Sequence, residues 1–209
     1  NSEKVNDENV SELLADADGV IVPGGFGARG TEGKISAIQF ARENNVPFLG
    51  VCLGMQLASV EFARHVLGYD DANSIELNPE TSAPVIALMN DQKEVTDRGG
   101  TLRLGLYPAD LKDGTLTKDI YEGQDEIQER HRHRYEFNND YLAAFEGAGM
   151  QAVGINPDTG LVEVVEVEGH PWFVGTQYHP EYKSTVQRPH PLFVAFVAAA
   201  LAGKDDKKK

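Results

Sequence analysis

The chain has 209 residues, 41% of them apolar, enough for one ordinary domain with a sizeable core. Its 33 acidic and 19 basic residues leave a net charge of -14, which argues against general nucleic-acid affinity because phosphate neutralisation needs a basic face. The single cysteine rules out an intramolecular disulfide framework; no signal peptide or membrane-spanning apolar run appears, which makes the cytoplasm the default, and the acid excess also fits a source living in high salt.

In chain order, the pattern predicts a short helix over Asn9 to Ala17, a buried strand over Gly19 to Val22, and an amphipathic helix over Glu32 to Asn44. A second strand over Val46 to Val51 leads into a helix over Leu53 to Leu67. The stretch from Tyr69 to Asp125 is less regular, with candidate strands at Val85 to Leu88 and Leu102 to Tyr107. "MQAVGINPDTGLVEVVEVEG" predicts a hairpin about a Pro-Asp-Thr-Gly turn, followed by the strand "WFVGTQYH" and a closing helix over Pro191 to Leu201. Apolar strands joined by helical crossovers predict an α/β fold, with a mostly parallel central sheet covered by helices on both faces. Residues 1–203 form the expected domain, and 204–209 a charged, disordered tail.

Gly25, Gly27 and Gly30 in "PGGFGARG" spell G-x-G-x-x-G. A dinucleotide site would also need an acid about twenty positions further on to hold a ribose, but Cys52 follows the second strand and the nearest acid, Glu43, lies in the helix before it. What the glycines do provide is a sharp turn with outward N–H groups, able to stabilise an oxyanion as readily as a phosphate.

Gly50-Val51-Cys52-Leu53-Gly54 is a G-x-C-x-G pattern at a strand-to-helix junction, the cysteine counterpart of the serine nucleophile elbow. A lone cysteine in an apolar strand is otherwise a packing residue; the flanking glycines favour the nucleophile. At a helix N-terminus the dipole is expected to lower the thiol pKa. Acyl transfer by a thiol also wants a histidine. His65 sits on a helix without polar company, and His170 and His190 precede prolines at element ends. His131 and His133 alternate with Arg130, Arg132 and Arg134, so an extended segment puts arginines on one face and histidines on the other; the cationic neighbours disfavour a metal, and none is expected. His179 ends an apolar strand and is followed by Pro180 and Glu181, whose carboxylate can orient the imidazole.

"PGGFG", "GVCLGMQ" and "QYHPE" together resemble the class I, or triad, glutamine amidotransferases, with their flavodoxin-like architecture. "GGFGARGTEGK", "ANSIE", "GGTLRLG", "ERHRHRYEFNN" and "HPWFVGTQYHPEY" narrow the resemblance to the C-terminal glutaminase domain of the CTP synthase family, from about Asp18 to Leu201. The resemblance implies that Cys52 attacks the glutamine carboxamide to form a thioester, that His179 shuttles the proton and that Glu181 orients His179. It implies an oxyanion hole from the Gly25 and Phe26 backbone and the Leu53 N–H, and glutamine binding by Gly25, Leu53, Gln56, Glu76 and Arg134. Glu76 can hold the α-ammonium and Arg134 the α-carboxylate; read from the residues alone, Glu76 is equally a solvated carboxylate, and only one arginine between 130 and 134 need touch ligand.

The resemblance further implies GTP as an allosteric effector, for which Arg29 and Arg103 would supply positive charge, with "GGTLRLG" as a lid. It implies no cofactor in this domain; ATP, UTP and magnesium belong to an N-terminal synthetase domain that nothing in this chain resembles, and the parent enzyme would be a homo-oligomer, a tetramer. The apolar strand that opens the family fold is also missing, so an excised domain is expected. The alternatives are a γ-glutamyl hydrolase that passes ammonia nowhere, the glutaminase subunit of another amidotransferase, and a regulatory module with a dead site; the last would lack a triad member, and all three are present.

Overall fold

A computed structural model describes residues 1–88 and 102–206. The first predicted helix is only one turn, α1 (Val10–Leu13), where Val10 alone is buried; beyond it only Leu14 packs against the core. Strand β1 (Val20–Val22), helix α2 (Thr31–Glu43), strand β2 (Phe48–Val51) and helix α3 (Leu53–His65) follow as expected. Short strands β3 (Asn73–Ser74) and β4 (Pro84–Leu88) come next. Strand β5 (Arg103–Leu111) outruns its predicted end at Tyr107. Strand β6 (Glu126–His133) contains most of the segment with the Arg/His alternation, while helix α4 (Leu116–Ile120), strand β7 (Tyr135–Phe137) and helix α5 (Leu142–Ala148) had no firm sequence signature. The hairpin β8 (Met150–Ile155) and β9 (Val162–Val167), strand β10 (Phe173–Thr176) and helix α6 (Pro191–Asp206) complete the chain. Helix α6 therefore continues past the predicted end at Leu201 and takes in part of the stretch expected to be a disordered tail, whose last three residues lie outside the described part.

Among the described residues, seven strands form one sheet in the order β1-β2-β10-β9-β8-β5-β6. The parallel pairing expected of the sheet occupies its functional half: β2 runs parallel to both β1 and β10. From β10 onward the sheet continues antiparallel through β9, β8, β5 and β6. A second sheet, β3-β4-β7, packs with α5 beside the first. Successive residues of β2 face opposite ways: Phe48 enters the core built with α2 and α3, while Leu49 and Val51 enter the core closed by α6. Helices thus cover both faces, and the C-terminal ends of β2 and β10 lie side by side, with Gly175 opposite Gly50 and Thr176 opposite Val51. Residues that leave these two strands emerge together, which is where ligands bind in open α/β sheets.

Candidate active site

Cys52 leaves β2 as the N-cap of α3, with φ 51° and ψ -103°, in the positive-φ region that side-chain-bearing residues avoid. Its neighbours explain how this is tolerated. A β-carbon on Gly54 would lie 2.0 Å from the Val22 carbonyl oxygen, and one on Gly50 would lie 2.8 Å from the Gly54 carbonyl, so the elbow closes only with glycine at both positions. The Cys52 N–H donates to the Thr176 carbonyl at 2.7 Å, locking the elbow to the end of β10.

His179 follows β10 and its N–H donates to the Arg130 carbonyl at 2.8 Å. Pro180 then opens a short 3-10 turn, Pro180–Lys183, that brings Glu181 back onto the imidazole. Glu181 Oε1 lies 2.6 Å from His179 Nδ1, and the Tyr182 ring stacks on His179 with centroids 4.7 Å apart. The other ring nitrogen, Nε2, is buried without a hydrogen-bond partner among the described residues. Gly24 marks the gap between base and nucleophile, since a β-carbon there would stand 2.8 Å from His179 Cε1 and 3.6 Å from Cys52 Cβ.

The resting thiol does not behave as the helix dipole alone would dictate. Burial pushes Cys52 up to about 12, and the carboxylates of Glu136, Glu181 and Glu76 add to the rise, while the Leu53 N–H opposes it. The expected lowering is therefore overturned: burial holds the sulfur as a neutral thiol, so any reaction through it needs a neighbouring group to take its proton. Glu181 is suited to support that step. Burial alone would raise it, but its bond to His179 and the charges of His179 and His190 hold the carboxyl below its ordinary value.

The glycine loop borders the same space. A β-carbon on Gly25 would touch Leu53 Cδ2 at 3.3 Å, and the Gly27 N–H donates to Glu76 Oε1 at 3.1 Å. Glu76 thus braces the loop as well as carrying charge to the site. Gln56 Nε2 donates to the Tyr135 carbonyl at 2.9 Å and to Gln177 Oε1 at 3.2 Å. Arg134, next to Tyr135, is half-buried, and its Nε has no hydrogen-bond partner among the described residues. Phe26 is exposed, with the Arg132 guanidinium 6.0 Å from its ring centre.

The two arginines proposed for GTP part company. Arg29 is exposed and pairs with Glu3 at 2.9 Å. Arg103 is buried, with Nη1 2.6 Å from Glu163 Oε1 and 3.6 Å from Glu136 Oε1, and its guanidinium lies 4.3 Å from the Tyr107 ring centre. A guanidinium enclosed by these partners is not presented to a nucleotide, so Arg103 is withdrawn as an effector contact. Residues 99–101 of the lid stretch lie outside the described part.

Strand β6 has the alternation expected of it: Ile127, Glu129, His131 and His133 point inward, while Arg130 and Arg132 point out. His131 Nδ1 lies 2.8 Å from His133 Nε2, and His133 Nδ1 lies 3.3 Å from Glu136 Oε1. Burial, with the charges of nearby His133 and Arg103, pushes His131 down to about 2; burial and Arg103 push His133 down to about 3. No cluster of three or more His, Cys, Asp or Glu among the described residues is placed to hold a metal. Glu163, Glu136 and Gln177 gave no sequence signal, because a polar residue in an apolar strand shows its partners only once the strands are paired.

Residues 2–199 match the family model "Glutamine amidotransferase class-I". The chain belongs to the class-I glutamine amidotransferases. Among these amidotransferases it is similar to the CTP synthase of Clostridium perfringens, 62% identical over 204 residues, which are 98% of this chain and 38% of that protein. It is similar also to the CTP synthase of Flavobacterium johnsoniae, 58% identical over 200 residues, 96% of this chain and 37% of that protein. The chain therefore spans well under half the length of these relatives. A solved structure described as the Trypanosoma brucei CTPS glutaminase domain with bound acivicin superposes with a TM-score of 0.90 at 38% identity, covering 97% of this chain and 79% of that one.

Proposed function

We propose that this chain is the glutamine-hydrolysing part of a CTP synthase, and that it works through the triad Cys52, His179 and Glu181. The observation that carries the reading is the His179 ring, beside the Cys52 elbow across Gly24, held on one nitrogen by Glu181 and with its buried Nε2 unpartnered among the described residues. Glutamine enters with its carboxamide at Cys52. As the sulfur–carbon bond forms, the thiol proton passes to His179 Nε2, and the carbonyl oxygen gathers charge that the Leu53 and loop N–H groups at Gly25 and Phe26 stabilise. The carbon–nitrogen bond then breaks, ammonia takes the proton from His179, and water activated by His179 releases glutamate from the thioester.

Gln56, Glu76 and Arg134 are the proposed glutamine-binding side chains. The unpartnered Nε of Arg134 supports a contact with the α-carboxylate, and the Gln56 Oε1 is left as an acceptor by the engagement of its Nε2. The ammonia would serve ATP-dependent amination of UTP by a magnesium-using synthetase domain, in a homo-oligomeric, cytoplasmic parent; the similarity to full-length CTP synthases supports that reading. GTP remains the proposed effector, received in part by exposed Arg29. Exposing the chain to an electrophilic glutamine analogue and mapping the mass increment tests the reading: an adduct on Cys52, blocked by glutamine, is expected, and modification elsewhere contradicts it.

A further inference from the structure

Gln177 lies at the end of β10, fully buried, two residues before the proposed base. Its Nε2 is 3.7 Å from Cys52 Sγ, within hydrogen-bond range for sulfur. Its Oε1 accepts from Gln56 Nε2 at 3.2 Å, and Gln56 Nε2 also donates to the Tyr135 carbonyl at 2.9 Å. The directions in this chain are not free. A backbone carbonyl can only accept, so the atom of Gln56 that faces it must be the NH2 group. That NH2 group in turn requires the oxygen of Gln177, which leaves the Gln177 NH2 group facing the sulfur. Backbone contacts hold the frame, because the Gln177 N–H donates to the Glu163 carbonyl at 2.8 Å.

We infer that Gln177 is a further catalytic residue of the glutaminase: its side-chain amide donates to Cys52 Sγ, aiming the sulfur and stabilising the negative charge that grows on it as its proton leaves for His179. Gln56 is then a positioning residue for the sulfur as well as a substrate contact. The inference rests on the proposed glutaminase reading. Its physical basis is the electrostatics of the pocket. The sulfur sits in a buried site near the carboxylates of Glu136, Glu181 and Glu76, all of which oppose a thiolate, so a fixed neutral donor aimed at the sulfur offsets part of that opposition without adding a charge. A resting thiol gains little from the contact and a sulfur losing its proton gains more, so the bond is spent on the step rather than on the ground state.

The test uses thiol chemistry that needs no substrate, so it stands apart from the glutaminase reading itself. The rate of Cys52 alkylation by iodoacetamide is measured against pH in the native chain and in two variants, each read by itself. Gln177→Met removes the donor at similar length, and Gln177→Glu keeps the acceptor for Gln56 while setting a carboxylate oxygen against the sulfur. Below its inflection the alkylation rate tracks the thiolate fraction, so at fixed pH between about 7 and 9 it is expected to fall about ten- to a hundredfold in Gln177→Met and further in Gln177→Glu, with glutamine kcat falling at least about tenfold and KM nearly unchanged in Gln177→Glu, where Gln56 keeps its acceptor. An alkylation profile coincident with the native one in either folded variant overturns the inference, even where Cys52→Ser abolishes glutamine turnover. A loss confined to KM overturns it as well, because it would place Gln177 on the substrate rather than the sulfur.

Discussion

Glu181 Oε1 stands 2.6 Å from His179 Nδ1, and the one residue between them is the proline that starts their turn. Because that nitrogen is held, the other, Nε2, is the one left without a hydrogen-bond partner among the described residues, and the ring is braced by Tyr182 on its face. Glu181→Gln keeps the shape but exchanges a carboxylate for an amide, which forfeits support for the imidazolium. Charged hydrogen bonds contribute roughly 1.5–3 kcal/mol, so kcat for glutamine is expected to fall about ten- to a hundredfold with the fold intact. Steady-state kinetics beside a thermal melt check this; unchanged kcat would remove Glu181 from the triad.

Two glycines should fail in different ways. Gly24→Ala places a methyl 2.8 Å from the His179 ring, at the surface of the site, while Gly54→Ala drives one to 2.0 Å from the Val22 carbonyl oxygen inside the elbow. Displacing a reacting group costs rate, and overpacking backbone costs stability. Gly24→Ala is expected to fold normally and lose about a hundredfold in kcat, and Gly54→Ala to lose about 3 kcal/mol or more of stability. Urea titrations of both variants separate the two effects.

The buried cluster behind the site predicts acid sensitivity. His131 and His133 are pushed down from 6.5 to about 2 and about 3, so the folded state keeps them neutral while the unfolded chain protonates them. Their contribution is complete above about pH 6.5 and is lost as pH falls toward 3. Glu163 acts in the opposite sense: burial pushes it from 4.5 up to about 7 against the pull of Arg103, so its folded form takes a proton between these values and recovers stability on acidification. From pH 6.5 to 4.5 the unfolded state thus binds two extra protons and the folded state one, and below 4.5 only the histidine imbalance remains. The urea midpoint should fall as pH drops below 6.5, and fall more steeply below 4.5. A midpoint flat down to pH 4 would contradict the buried neutral histidines.

Arg103 holds this cluster together, with Glu163 at 2.6 Å and Glu136 at 3.6 Å. Removing one partner from a buried ion pair leaves uncompensated charge. Arg103→Met is expected to cost about 3–5 kcal/mol of stability, measured by chemical denaturation at pH 8, above the value of about 7 to which burial raises Glu163. A variant as stable as the native chain would mean that Arg103 belongs to a surface function after all.

What could be read in the sequence was whatever depends on neighbours along the chain. The glycines about Cys52 announced the elbow, Pro180 and Glu181 announced the carboxylate on the His179 imidazole, and the Arg/His alternation announced the two faces of β6. What could not be read depends on strand pairing. Arg103 looked like a solvent-facing cation because nothing nearby in sequence matches Glu163, which reaches it from β9. The thiol of Cys52 looked dipole-activated because the helix start is visible in the sequence while its burial and the carboxylates around it are not. Helices α4 and α5 are too short for their periodicity to register, and Gln177 was silent for want of its partner Gln56 on another element.

The most direct measurement of the central claim is ammonia released from glutamine by the native chain and by Cys52→Ser. A hydroxyl in a pocket that already keeps a thiol protonated has no means of ionising. Turnover by the native protein and background release by Cys52→Ser is the predicted result; a Cys52→Ser protein that releases ammonia at a rate approaching the native one would contradict it.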